Sequence, residues 1–199
     1  MTEALLSLIS ATALLLGSPG PATLGLAGVG ATFGIRGGLN FLGGVLVGLC
    51  VVIVGAGLGL AALFAAFPSA RLAVQIIGGL YICYIATKIA LAPHIANTNH
   101  TKASRPKFIE GFILNLLNPK AYAAFLALFS QFLLPFSSAA VAFIITAVTC
   151  FLVAVFVDTL WLSFGGIIRP LFRRQKQARI VRVIFAVLMI TAVLWAFTQ

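Results

Sequence analysis

Six apolar stretches, each close to or longer than one bilayer crossing, decide what this chain of 199 residues can fold into. A helix needs about 20 predominantly apolar residues to cross the hydrocarbon core of a membrane. The stretches lie at residues 4–33, 39–66, 71–92, 109–134, 137–164 and 180–198. Only 8% of the residues are charged, against about 25% in soluble domains, so the chain cannot cover a water-facing surface. The sequence therefore predicts an all-α integral membrane protein with six transmembrane helices.

The basic residues fall almost entirely on one side of the predicted membrane. Of the 13 Lys and Arg residues, 12 lie in or near the connections that follow the first, third and fifth stretches, and only Arg71 lies on the other side. Because cytoplasmic loops collect Lys and Arg, this asymmetry predicts that both termini lie outside, an N-out, C-out topology. A polar linker at residues 93–107 separates a first repeat, 1–92, from a second, 108–199. Because each half crosses the membrane three times, the two halves run through it in opposite directions. This is the geometry of two inverted three-helix repeats in a single transporter domain.

Proline motifs interrupt the first and the fourth stretch, so helices 1 and 4 are predicted to be broken. The motifs are Ser18-Pro19-Gly20-Pro21 and, 100 residues later, Asn118-Pro119-Lys120. Ser and Asn are good N-cap residues and proline suits the first helical position, so each motif predicts that a helix ends and restarts. Such breaks persist at membrane depth only where protein or a water-filled cavity satisfies the backbone, and paired breaks point to a transporter's binding site. A kinked but continuous helix is the alternative.

Two ionisable residues, Lys120 and Asp158, lie well inside the stretches, where an unpaired charge is costly. Lys120 is expected either to neutralise a substrate carboxylate or to extend to the cytoplasmic interface. Asp158 is expected to carry a coupling proton, to bind a substrate amine, or to pair with Lys120. The predicted substrate-binding residues are Ser18, Pro19, Gly20, Pro21, Asn115, Asn118, Pro119 and Lys120, with Asp158 as the ion-coupling residue.

Other ligands find less support in the sequence. The formal net charge of +10 does not indicate nucleic acid, because the basic residues lie beside apolar stretches. The three cysteines are isolated, and the two histidines lack further ligands, so no disulfide, metal site or cofactor is predicted. The basic segment 169–182 is predicted to contact anionic lipid headgroups. A homodimer is left open.

The motifs together resemble the lysine-exporter (LysE/RhtB) family of bacterial amino-acid exporters. The most specific match is Gly111-Phe112-Ile113-Leu114-Asn115-Leu116-Leu117-Asn118-Pro119-Lys120-Ala121, and it is joined by Ser18-Pro19-Gly20-Pro21, Gly34-Ile35-Arg36-Gly37-Gly38-Leu39 and Gly79-Leu80-Tyr81-Ile82-Cys83-Tyr84. The resemblance covers nearly the whole chain. It implies a transporter rather than an enzyme, one that exports amino acids or their derivatives across the bacterial inner membrane, driven by an ion gradient. Alternating access of the two halves around a midplane site is the mechanism that such repeats favour.

Two other functions are kept as alternatives. A metal-ion exporter would need clustered carboxylates, histidines or thiolates within the spans. A transmembrane thiol electron carrier would need a reactive cysteine pair close to the breaks, and no cysteine lies beside either one.

Overall fold

The computed structural model describes residues 1–59, 67–91, 106–168 and 175–196. Within these ranges the backbone forms α-helices and no β-strand, so the all-helical prediction is confirmed. Most of the 93–107 linker and residues 169–174 of the basic segment lie outside the described residues, as does the end of the second predicted span. The helices are α1 Thr2–Gly17, α2 Pro21–Gly57, α3 Pro68–Ala90, α4 Phe108–Leu116, α5 Pro119–Gln131, α6 Ala139–Ile168 and α7 Gln175–Ala196.

Two of the described helices, α2 and α6, are each long and apolar enough to cross a membrane. The pair α4 and α5 meets the same criterion as one unit, with a bend of 57° at the short break between them. The fourth predicted span is therefore a broken helix, as its Asn-Pro motif indicated. These helices make the chain a helical membrane protein.

The sixth helix, α6, shows how the protein divides its surface between lipid and core. Large apolar side chains are exposed at about every fourth position on one face, while the opposite face is buried and carries small or polar residues. Large residues suit lipid tails, whereas small residues let neighbouring helices approach closely. The exposed residues include Ile144, Val148, Leu152 and Phe156, and the buried ones include Thr146, Cys150, Ala154 and Asp158.

The long helix α2 reverses direction at Gly34. The Gly34 backbone is non-helical, with φ 76° and ψ 171°, a conformation that L-residues with a side chain rarely adopt. Contacts across the turn show the reversal: a Cβ atom at Gly25 would lie 3.7 Å from Phe41 Cζ. In one straight helix these two residues would be about 24 Å apart. We therefore describe α2 as two antiparallel arms, an N-arm (21–33) and a C-arm (35–57), which correspond to the end of the first predicted span and the start of the second.

Each arm of α2 is pressed against another helix through glycine. On the N-arm, Gly30 lies against the Leu162 carbonyl of α6. On the C-arm, Gly44 lies against the Phe108 carbonyl of α4. In both places a Cβ atom would overlap backbone, so any larger residue would force the helices apart.

The buried apolar residues form two clusters that meet at the polar cavity described below. The first joins both arms of α2 to α3, α4, α6 and α7, with Phe41, Leu114 and Leu162 among its members. The second joins α1, α5 and α6 to the far end of the C-arm and includes Leu49 and Phe125. Members of both clusters thus border the polar residues of the predicted site.

Candidate functional site

At the first helix break, three residues, Ser18 to Gly20, separate α1 from α2, and the first and last of them are extended. Ser18 ends α1 with φ −64° and ψ 148°, and Gly20 is extended with φ −169° and ψ 179°. Each of these residues precedes a proline, whose ring disfavours helical backbone in the residue before it. The helix therefore restarts at Pro21 and not directly after Ser18.

The cap at this break comes from Thr23. The Gly20 N–H donates to Thr23 Oγ1 at 2.9 Å. The Ser18 hydroxyl turns back to donate to the Leu15 carbonyl at 3.0 Å. The prediction that the Ser18 side chain caps the restarted helix is thus wrong, because the second proline moves the restart two residues along the chain. A side chain three residues into a helix is well placed to accept from the N-cap N–H, so Thr23 could have been found from its spacing to Gly20.

The second break follows its prediction. Asn118 is the N-cap of α5, and its Oδ1 accepts from the Lys120 N–H at 3.2 Å. Pro119 occupies the first helical position, where its missing N–H is not needed. The interpretation of Asn118-Pro119 as a cap followed by a helix start is confirmed.

A chain of buried amides fixes this second break to the C-arm of α2. Asn118 Nδ2 donates to Asn115 Oδ1 at 3.3 Å, and Asn115 Nδ2 donates to the Val45 carbonyl at 2.9 Å. Both asparagines are buried, with exposed fractions of 2% for Asn115 and 4% for Asn118. Each amide is thus held by specific partners, so Asn115 orients Asn118, and Asn118 orients the start of α5.

The two breaks meet at one small polar cavity. Its volume is about 30 Å³, enough for one or two water molecules. Residues that lie about 100 positions apart in the chain thus line one cavity. Five of the predicted site residues line it, namely Gly20, Asn115, Asn118, Lys120 and Asp158, together with Leu16, Ala22, Thr23, Leu49, Ala121 and Ala154, which the sequence did not single out.

Lys120 bridges the two breaks. Its Nζ donates to the Ser18 carbonyl at the end of α1. Its stem lies over Gly20, where an added Cβ atom would come within 2.7 Å of Lys120 Cδ and 3.0 Å of Nζ. A larger residue at position 20 would therefore make the lysine side chain shift.

Asp158 is buried on α6, with 6% of its surface exposed, and it lines the same cavity. Among the described residues, neither a hydrogen bond nor an ion pair joins its carboxylate to Lys120, whose ammonium is directed to Ser18 instead. Two opposite charges thus line one cavity without a direct bond between them.

The remaining predicted residues shape the breaks without lining the cavity. The Ser18 and Pro19 side chains are exposed, Pro21 is buried, and Pro119 is partly buried. Ser18 takes part through its backbone carbonyl, which a prediction based on side-chain type could not have identified.

Trp161 is a further residue at the first break that the sequence did not indicate. Its Nε1 donates to the Gly17 carbonyl at 3.1 Å, so α6 holds the last turn of α1 in place. Trp161 lies one helical turn after Asp158 and therefore on the same side of α6.

A polar cavity where two broken helices meet inside a helical membrane protein is the arrangement of a secondary transporter. The chain belongs to the LysE type translocator family, whose model matches residues 13–195. It is 28% identical over 169 residues to a leucine efflux protein of Enterobacter sp. (strain 638), a match that covers 81% of this chain and 80% of that protein. It is 31% identical over 121 residues to an uncharacterized membrane protein of Vibrio cholerae serotype O1 (strain ATCC 39315 / El Tor Inaba N16961), a match that covers 59% of each chain. No solved structure matches the chain.

Proposed function

We propose that this protein exports amino acids or their derivatives across the bacterial inner membrane by alternating access, coupled to the proton gradient. The observation that carries the proposal is the placement of Lys120 and Asp158 on one cavity between two broken helices. An amino acid carries one ammonium and one carboxylate group. Its carboxylate is complementary to the Lys120 ammonium, and its ammonium is complementary to the Asp158 carboxylate. The leucine efflux relative supports this substrate class and makes leucine the first compound to test.

The two charges have separate proposed roles. Lys120 binds the substrate carboxylate, because an ammonium group forms its strongest hydrogen bonds with ionised acceptors. Asp158 is the group that takes up and releases the coupling proton. A buried carboxylate is costly unless a cation or a proton neutralises it, so substrate and proton can alternate at Asp158.

The fold that we propose for this mechanism has six spans in two inverted repeats. The first span is α1 with the N-arm of α2, the second begins with the C-arm, and the third is α3. The fourth is α4 with α5, and α6 and α7 are the fifth and sixth. Helix contacts support this scheme: the first span packs on α6, the fourth packs on the C-arm, and α3 packs on α7. The symmetry of an inverted repeat relates span 1 to span 4, span 2 to span 5 and span 3 to span 6. A contact between spans 1 and 5 therefore implies the equivalent contact between spans 4 and 2, and a contact between spans 3 and 6 is its own equivalent.

The cavity in this conformation is smaller than the proposed substrate. A volume of about 30 Å³ accommodates water but not an amino acid. Substrate must therefore enter through another conformation, in which one half of the protein has moved relative to the other. The helix breaks are the natural places for this motion, because their backbone is already free of continuous helical hydrogen bonds.

The decisive experiment compares two modes of leucine flux in one proteoliposome preparation. Counterflow at equal pH reports binding and exchange, and flux driven by a pH difference reports coupling. Asp158→Asn should abolish pH-driven flux, because the neutral amide cannot exchange a proton, while counterflow persists at a higher half-saturating leucine concentration. Lys120→Gln should raise the half-saturating leucine concentration in both assays, by about tenfold for one charge-assisted hydrogen bond.

Arg179→Gln is the matched control, since it also removes one charge but at an exposed position on α7. Both fluxes should then equal those of the unmodified protein. Unchanged pH-driven flux in Asp158→Asn would mean that the acid is structural and that coupling uses another ion. Metal uptake with no counterflow of any amino acid would favour the metal-exporter alternative.

A further inference from the structure

Lys120 donates to the Ser18 carbonyl at the end of α1 and shares one cavity with the Asp158 carboxylate, and it brings the only ammonium group found there among the described residues. We propose that Lys120 is a displaceable plug: in the empty transporter its ammonium occupies the position that the ammonium of the substrate takes when the site is loaded. This inference rests on the proposed function and adds to it the identity of the amine subsite. It also requires that a substrate carry both charges.

The subsite is built for a cation. The C-terminal end of a helix carries partial negative charge on carbonyls that lack helical partners. At the end of α1, the Gly17 carbonyl already accepts from Trp161, and the Ser18 carbonyl accepts from Lys120. Asp158 is more than nine-tenths buried and lines the cavity beside Lys120, with no hydrogen bond or ion pair to another described residue. The Ser18 carbonyl, which already accepts from an ammonium group, and the Asp158 carboxylate are the acceptors of the proposed subsite.

Lys120 is held loosely enough to leave. Among the described residues, its Nζ has one hydrogen-bond partner, the Ser18 carbonyl, and its stem rests on Gly20, which has no side chain to grip it. Lysine has a flexible four-carbon stem with a compact charge, so its head can turn while its backbone stays fixed by Asn118.

The exchange keeps every charge partnered. When an amino acid enters, its ammonium binds the Ser18 carbonyl and Asp158, and Lys120 turns to the substrate carboxylate. A simple amine could displace Lys120 only by leaving the lysine charge without a partner at membrane depth, which is costly. A simple carboxylate would draw Lys120 away and leave the Ser18 carbonyl and Asp158 without a cation.

The first test measures the binding of isopentylamine, which is leucine without its carboxylate, to the full chain in nanodiscs by calorimetry. The unmodified protein should bind it weakly. Lys120→Gln should bind it about tenfold or more tightly than the unmodified protein, because the amine subsite is then empty, while its affinity for leucine falls. Lys120→Arg should still exclude the amine, and Asp158→Asn added to Lys120→Gln should cancel the gain. Arg179→Gln should bind isopentylamine as weakly as the unmodified protein does.

The second test needs no variant and therefore does not depend on a substituted protein folding. In the unmodified protein, 4-methylpentanoate should increase the affinity for isopentylamine, because it gives Lys120 a new partner while the amine takes the vacated position. Absence of this cooperativity would overturn the proposal that Lys120 is a plug. So would a folded Lys120→Gln variant that binds isopentylamine with the same affinity as the unmodified protein. Failure of the proposed function is a separate result: the unmodified protein would then show no leucine counterflow, whatever its affinity for the amine.

Discussion

Thr23 shows how much of a helix break can depend on one hydroxyl group. Its Oγ1 accepts from the Gly20 N–H and lies 3.1 Å from the Gly20 carbonyl, to which it donates. Thr23 itself is 3% exposed, so these bonds lie away from the protein surface. Thr23 also lines the cavity. A change in the Gly20 backbone would move the surface on which the Lys120 side chain rests.

Replacing Thr23 by valine should therefore destabilise the protein and weaken leucine transport. Valine has nearly the same shape but lacks the hydroxyl, which leaves the Gly20 N–H buried without a partner at a cost of about 1–3 kcal/mol. Thr23→Ser, which keeps the hydroxyl, is the matched control and should unfold close to the temperature of the unmodified protein. Thermal unfolding in mild detergent measures the difference. Equal unfolding temperatures for the valine and serine variants would show that the cap contributes nothing.

At the scale of the helices, close packing depends on which face of an element a glycine occupies. Gly43 and Gly44 are neighbours on the C-arm of α2, yet their surroundings differ. A Cβ atom at Gly43 would lie 3.7 Å from Phe108 Cδ2, which is an ordinary contact. At Gly44 it would overlap the Phe108 carbonyl, which belongs to the backbone of α4 and cannot move aside.

This adjacent pair allows a direct test of helix packing. Gly44→Ala should destabilise the protein by about 1–3 kcal/mol, because the C-arm and α4 must separate to make room for one methyl group. Gly43→Ala adds the same methyl group and should stay within about 0.5 kcal/mol of the unmodified protein. Unfolding temperatures in one detergent provide the comparison. If the two variants were destabilised equally, the cause would be added side-chain bulk on α2. The close contact between the C-arm and α4 at Gly44 would then not explain the effect.

At the scale of the whole molecule, the cavity depends on distant parts of the chain meeting. Its lining comes from the segments 16–23 and 115–121, together with Leu49 on the C-arm and two residues of α6. Such a site forms only when both halves of the protein are assembled. The orientation of this assembly in the membrane is a separate matter, which follows from the distribution of basic residues.

We predict that both termini lie outside and that the 93–107 linker is cytoplasmic, because 12 of the 13 basic residues are on the side of that linker. Single cysteines at Ser104 and at Thr2, placed in a variant without the three native cysteines, would test this topology. An impermeant thiol reagent applied to intact cells should label the cysteine at position 2 and leave that at 104 unlabelled until the membrane is opened. The reverse pattern would overturn the orientation.

The sequence by itself determined the class of the protein and the positions of both helix breaks, and it predicted five of the residues that line the cavity. These features depend on local chemistry: apolar length decides membrane insertion, and proline interrupts a helix wherever it stands within one. Only the tertiary structure decided that Lys120 binds the Ser18 carbonyl, that Thr23 and not Ser18 caps α2, and that Trp161 holds the end of α1. The Lys120 and Trp161 contacts join groups separated by 102 and 144 residues, and both acceptors are backbone carbonyls, which every residue carries. Sequence pattern cannot distinguish one carbonyl from another, so the packing of α1 against α5 and α6 had to select them.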